Sequence, residues 1–251
     1  MKNDKKKIEV CYSPALYDYY RNDDAIVVVT DILRASTAIC AAFENGVRHL
    51  IPVASLDEAR EWKEKGYLVA AERDGVVLDF ADFGNSPFNF HPGQVKGKTI
   101  VYSTTNGTQA IRIASEAKYV AVGSFINLSA LAGWIATEDS DVLILCAGWR
   151  NRYNLEDSVF AGALAGILTE QGGFYTECDA AVAAMELWEL ARNDLPGYME
   201  KAAHRHRLKK LGLDDVMDYC NTPDTTKVVP LLKGHLLVEH SELFADDTDI
   251  V

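Results

Sequence analysis

The sequence predicts an α/β protein, a three-layer α/β/α arrangement on a largely parallel or mixed sheet, shaped as two lobes around a cleft. Three observations predict it. Apolar runs of strand length alternate along the chain with helix-length periodic segments, the pattern of a sheet wrapped by helices. The first strong run, IVVV at 26–29, is β-branched and has no polar face, as a strand covered on both sides requires. Segments of helical pattern close on glycines, at Gly46, Gly66 and Gly172 with Gly173.

The elements follow in order. Residues 26–29 form a strand, and a helix over 36–45 stops at Gly46. Strand 47–53 leads to helix 56–65, where Ser55 is the N-cap, Glu58 completes a capping box and Gly66 ends the helix. Residues 67–71 and 76–80 read as strands. The pattern then repeats with strand 99–102, helix 108–116, strand 119–122, helix 128–137 and strand 142–146. The Ala- and Gly-rich segment 156–171 is an apolar helix, either core or the interface of a homo-oligomer such as a dimer. Helices over 180–193 and 198–211 and late strands over 228–232 and 236–238 complete one domain over 1–251, whose lobes divide near 125–140.

Composition narrows the function. The chain has 251 residues, 48% hydrophobic, which excludes intrinsic disorder. Against 37 acidic residues stand 25 Lys and Arg, a net charge of −12, so a general nucleic-acid binder is not expected. No run approaches the ~18 apolar residues of a membrane span, and no apolar stretch of signal-peptide length follows the basic start MKNDKKKIEV. The five cysteines are widely spaced without a CxxC pair, so neither a zinc ribbon nor a disulfide framework is expected and a cytoplasmic location is.

In α/β sheets ligands bind beyond the carboxyl ends of strands. Four segments there carry chemistry. In DILRAST, Asp31 suits a hard cation, Arg34 a bidentate contact to phosphate or sulfonate, and Ser36 and Thr37 open a helix whose free N–H groups favour an anion. The plainer alternative is a helix cap with a local Asp31–Arg34 ion pair. In STTNGT, the hydroxyls of Thr104, Thr105 and Thr108, with Asn106 and Gly107, suit an oxyanion cradle; no GxxxxGK is present, so it is not a Walker loop. Glu72 and Arg73 follow a strand, and Asn85 and Ser86 sit in a Ser-Pro turn that is equally ordinary turn chemistry. DFG occurs at 82–84 without the other kinase signatures.

The fourth segment, CAGWRNRYNLED, begins at Cys146 and Gly148 and ends at Glu156 and Asp157. Acids in a first helical turn suit the helix dipole, and equally a metal. Cys146 and Arg152 also fit C-x5-R, the spacing of a metal-independent cysteine phosphatase, although Tyr153 stands where a Ser or Thr is expected. HRHRLKK at 204–210 reads as a solvated basic helix face. Trp62, Trp134 and Trp188 read as core, and Trp149 borders the fourth segment.

The ordered series DILRAST, ER-G, GNSP, TTNGT, GSFINLSALA, CAG and LED, spanning about 31–162, closely resembles the 2-phosphosulfolactate phosphatase family. The resemblance implies a Mg²⁺-dependent phosphatase that converts 2-phospho-3-sulfolactate to 3-sulfolactate and inorganic phosphate, a step toward coenzyme M. It implies site positions at Asp31, Arg34, Ser36, Thr37, Glu72, Arg73, Asn85, Ser86, Thr104 to Thr108, Cys146, Gly148, Glu156 and Asp157. The chain departs from the family pattern at Ala71, where a glycine is usual, at Gln109, often an arginine, and in the loop WRNRYN, whose two arginines offer replacement charge.

The expected chemistry places Mg²⁺ on Asp31 with Glu156 or Asp157, phosphoryl oxygens on Arg34 and the TTNGT backbone, and proton transfer on Glu72. Asp31 is also a candidate phosphoryl acceptor. Two alternatives are a thiolate mechanism through Cys146 and Arg152, and a non-catalytic binder of small phosphorylated or sulfonated acids. A nucleotide oxidoreductase is disfavoured because no GxGxxG follows the first strand.

Overall fold

The computed structural model describes residues 5–244. Its strands are β1 (Lys6–Cys11), β2 (Ile26–Thr30), β3 (His49–Pro52), β4 (Leu68–Arg73), β5 (Val76–Val77), β6 (Thr99–Ser103), β7 (Tyr119–Gly123), β8 (Val142–Cys146), β9 (Phe174–Tyr175), β10 (Pro230–Lys233) and β11 (Leu236–Glu239). Helices are α1 (Tyr17–Tyr20), α2 (Ala35–Glu44), α3 (Leu56–Glu64), α4 (Pro92–Val95), α5 (Gly107–Ile113), α6 (Leu128–Thr137), α7 (Leu155–Glu170), α8 (Asp179–Ala191), α9 (Leu195–Met199), α10 (Ala203–Lys210) and α11 (Met217–Cys220).

All strands join one mixed sheet in the order β5-β4-β6-β3-β11-β10-β7-β2-β8-β1-β9, as an open α/β fold predicts. It consists of two parallel blocks. Strands β9, β1, β8, β2 and β7 run together, with Val28 opposite both Ala121 and Ile144. Strands β3, β6 and β4 form the second block. Between them the hairpin β10–β11 is antiparallel to both neighbours, pairing Leu231 with Ala121 and Leu237 with Leu50. Three successive reversals make the second block run opposite to the first.

The pleat sorts side chains into layers. Ile26 and Val28 of β2 join the core under α6, α7 and α8, together with Ile8, Ile144 and Leu164. Val27 and Val29 face the other way, toward Ala38, Ile39 and Ile111 of α2 and α5. That second core also takes Leu50, Ile100 and Tyr102 from the opposite block, so one apolar layer crosses the hairpin. A smaller core of Ile51, Val69 and Val101 lies under α3 with Ala59. Burying each Val or Ile contributes roughly 1.5–3 kcal/mol, which explains why the strands with no polar face lie centrally.

Helices α7 and α8 cross closely at Gly162. A Cβ there would lie 1.9 Å from the Ala184 carbonyl oxygen, so only glycine permits this approach. Ser55 caps α3 by accepting from the Glu58 N–H, as its sequence predicts. Other expectations shift. The strand expected over 76–80 is only Val76–Val77, an exposed pairing with Glu72 and Arg73 across a tight turn. The helix expected over 198–211 divides into α9 and α10: the Asp194 side chain starts α9 early by accepting from Gly197 N–H, and extended backbone at Ala202 redirects the chain. Strand β1 is an addition, its Ile8 and Val10 obscured by flanking lysines. No helix among the described residues is long and apolar enough to cross a membrane.

Candidate active site

The loops after β2, β4, β6 and β8 meet around one cavity, and α10 covers them.

The loop after β2 is fixed from within. Asp31 N–H donates to the Ser36 hydroxyl at 3.1 Å, and the Thr37 hydroxyl donates to the Ile32 carbonyl at 3.0 Å. Ser36 and Thr37 thus hold the loop that presents Asp31, and the helix begins one residue before Ser36. Arg34 is buried and donates to the Asn85 side-chain oxygen at 2.8 Å, drawing the Ser-Pro turn onto the site. Ser86 itself caps that turn, accepting from Phe88 N–H.

The loops after β4 and β6 lock together. The Glu72 carboxylate accepts from Gly75 N–H at 2.6 Å, Thr105 N–H at 3.0 Å and the Thr105 hydroxyl at 3.3 Å. Thr104 and Thr108 exchange bonds, each hydroxyl accepting from the other's N–H. The expected oxyanion cradle is therefore partly spent: three of its N–H groups, on Thr104, Thr105 and Thr108, already serve the loop. A Cβ on Gly107 would lie 2.8 Å from Ala35 Cβ and 3.1 Å from Asp31 Oδ2, so its smallness admits Asp31 and α2 to the loop. Arg73 turns sideways to the Ser103 hydroxyl and the carbonyls of Ala54 and Glu72.

The loop after β8 supplies the far wall. Asp157 is fully buried and both its oxygens are engaged, Oδ1 by Ile32 N–H at 2.9 Å and Oδ2 by Gly148 N–H at 3.0 Å. It ties the β2 and β8 loops together. Glu156 is also buried and meets His204 Nδ1 of α10 at 3.2 Å. Cys146 is sealed within the core; burial, then Asp157, pushes its thiol well above the ordinary range. No reactive thiolate is prepared there, and Arg152 sits on the exposed turn paired to Trp149.

Asp31, Leu33, Arg34, Glu72, Gly75, Asn85, Asn106, Trp149, His204 and Leu208 enclose a cavity of about 20 Å³, roughly the room of one water. Five anticipated residues line it: Asp31, Arg34, Glu72, Asn85 and Asn106. Ser36, Thr37, Arg73, Ser86, Thr104, Thr105, Gly107, Thr108, Cys146, Gly148, Glu156 and Asp157 stand behind or beside it. His204 is the residue that the reading of HRHRLKK as a solvated face misses: His204, Arg205 and Leu208 are all buried. Its signal was the helical spacing, which puts His204 and Leu208 on one side of α10.

Burial dominates the electrostatics. Asp31 is pushed up to about 6, first by desolvation and then by Glu72 and Glu156, with His204 opposing. Asp157 is raised by burial and by Glu156 and Asp31. Crowded buried carboxylates favour a cation among them. Among the described residues no three His, Cys, Asp or Glu side chains form a preformed cation cage. Magnesium needs none: one or two carboxylates with phosphate and water suffice. Asp31 and Glu156 fit that mode, whereas Asp157 is committed to two backbone donors.

Known proteins share this pattern. The family model described as 2-phosphosulpholactate phosphatase matches residues 11–235. A probable 2-phosphosulfolactate phosphatase of Thermotoga maritima is 37% identical over 212 residues, covering 84% of this chain and 90% of the relative. One from Caldanaerobacter subterraneus subsp. tengcongensis is 35% identical over 215 residues, 84% of this chain and 89% of the relative. A third, from Prochlorococcus marinus, is 39% identical over 211 residues, 81% and 87% of the two chains. The match runs through every loop that builds the cavity, and the chain belongs to the 2-phosphosulfolactate phosphatase family.

Proposed function

We propose that the protein is a Mg²⁺-dependent phosphatase that hydrolyses 2-phosphosulfolactate to 3-sulfolactate and inorganic phosphate, a coenzyme M biosynthesis-type step in the cytoplasm. The observation that carries the reading is the convergence of buried Asp31, Arg34, Glu72, Asn85 and His204 on one cavity from both blocks of the sheet.

Phosphate monoesters hydrolyse very slowly unaided, so charge stabilisation has most of the work. Arg34, held by Asn85, presents its guanidinium to the phosphoryl oxygens. Asp31 and Glu156 would hold Mg²⁺, which when bound supplies charge neutralisation at those oxygens and acidifies water. Glu72 accepts three hydrogen bonds, which makes its carboxylate a brace for the β6 loop. His204, oriented by Glu156, is the group placed to carry a proton at the cavity, to the leaving alkoxide or from water. The cavity is smaller than a phosphoryl group, so substrate entry would require α10 or the loops opposite it to move.

The test is phosphate release from 2-phosphosulfolactate and a panel of small 2-phospho acids, with Mg²⁺ and with EDTA. Turnover that needs Mg²⁺ and falls by orders of magnitude in Asp31→Asn is the expected result. Near wild-type turnover in that variant would remove Asp31 from the chemistry.

A further inference from the structure

Beside the cavity just described lies a second one, about 320 Å³, lined by Asp74, Gly75, Trp149, Arg150, His204, Arg207, Leu208, Lys210 and Leu211. Gly75, Trp149, His204 and Leu208 line both, so the two adjoin. The larger one is cationic. Arg150 is paired with Asp74 at 2.8 Å, the one acid of the lining, which leaves Arg207 and Lys210.

Arg207 is the unusual member. Its Nε and Nη2 are buried and have no hydrogen-bond partner among the described residues. A guanidinium left so costs free energy unless something accepts from it. The group is nevertheless held in place: its Cζ lies 4.5 Å from the centre of the Trp149 ring, and Arg150 approaches the same ring at 5.6 Å. Stacking fixes the plane of the fork at the cavity wall, and an oxyanion drawn into the cavity would supply the acceptor that its buried N–H groups lack. Glu156 is the acid whose field reaches it, and burial alone opposes its charge.

We propose that Arg207, stacked on Trp149, receives one of the two acidic groups that the substrate carries besides its phosphate, the sulfonate or the carboxylate, while the phosphoryl group enters the inner cavity. The inference rests on the phosphatase reading and names the residue that separates 2-phospho acids from simple phosphate monoesters. Arg207 thus determines specificity, and Lys210 adds long-range attraction.

The experiment compares wild type, Arg207→Met and Arg207→Lys. Turnover is measured on 2-phosphosulfolactate and on para-nitrophenyl phosphate, which has no second acidic group; binding of 3-sulfolactate is measured by calorimetry. In Arg207→Met the ratio of kcat/KM for the two esters is expected to fall about tenfold or more, chiefly through KM, and 3-sulfolactate binding to weaken similarly. Arg207→Lys recovers part of both, and stands in should the Met variant fold poorly. Equal losses on both esters, or unweakened 3-sulfolactate binding, overturn the assignment. A wild type that releases no phosphate from any ester defeats the phosphatase reading, while the binding arm still decides Arg207.

Discussion

Substituting Gly162 by alanine puts the close crossing of α7 and α8 to a quantitative test. Two opposing effects are involved. Alanine inside a helix is favoured over glycine by about 1 kcal/mol. Against that, the new Cβ would lie 1.9 Å from the Ala184 carbonyl oxygen, 2.3 Å from its carbon and 2.9 Å from Met185 N, all backbone atoms that cannot rotate aside. Ordinary contact begins at 3.4 Å, so the helices have to separate by about 1.5 Å. Overpacking of this kind costs about 1–3 kcal/mol or somewhat more. With the clash at the upper end, the net loss is about 2 kcal/mol, a fall in Tm of roughly 4–8 °C for a domain of this size. Glu156 and Asp157 occupy the first turn of the same α7, so the displacement also reaches the site and kcat falls with stability. Differential scanning calorimetry and phosphate release on the same preparation provide the check. A variant with unchanged or raised Tm would show that the helices do not touch at Gly162.

Three further outcomes are expected. Asp157→Ala orphans the Ile32 and Gly148 N–H groups and lowers stability by about 2–4 kcal/mol even in EDTA, read by thermal melting; a variant that melts like wild type in EDTA but binds Mg²⁺ less tightly would make Asp157 a ligand instead. Cys146→Ser keeps turnover within several-fold of wild type, because the thiol is sealed and its ionisation is suppressed; loss of all turnover in a folded Ser variant, with EDTA harmless to wild type, would restore the thiolate mechanism. His204→Gln reduces kcat by about 10²–10⁴ with little change in KM, and steady-state kinetics with unchanged kcat would remove His204 from proton transfer.

Much of this molecule was legible in local pattern. The run 26–29 declared a central strand, because residues buried on both faces have no alternation to show. Asp31, Arg34, Glu72, Asn85 and Asn106 were found by looking after strands, and all five line the cavity. The hydroxyls were harder to read. Ser36, Thr37, Thr104 and Thr108 bond backbone as readily as ligand, and here they bond backbone. The opposed direction of the two blocks was illegible, since it depends on pairings such as Leu237 with Leu50, distant in sequence. So was α10. A run of six basic residues suggests water, yet the same segment read at intervals of three and four gathers His204, Arg207, Leu208 and Leu211 along the cavity wall.

The hairpin β10–β11 has a consequence for the order in which the protein is made. Every residue that lines the cavity, including those on α10, leaves the ribosome before the strands that bridge the two blocks. Until Pro230–Lys233 and Leu236–Glu239 arrive, β7 and β3 are open edges with unpaired N–H and C=O groups, the kind of surface that recruits other chains. A nascent chain holding both blocks would therefore contain all its buried carboxylates and be without the pair of strands that registers one set against the other. Registering one block against the other is thus left to the hairpin that follows them both in the chain.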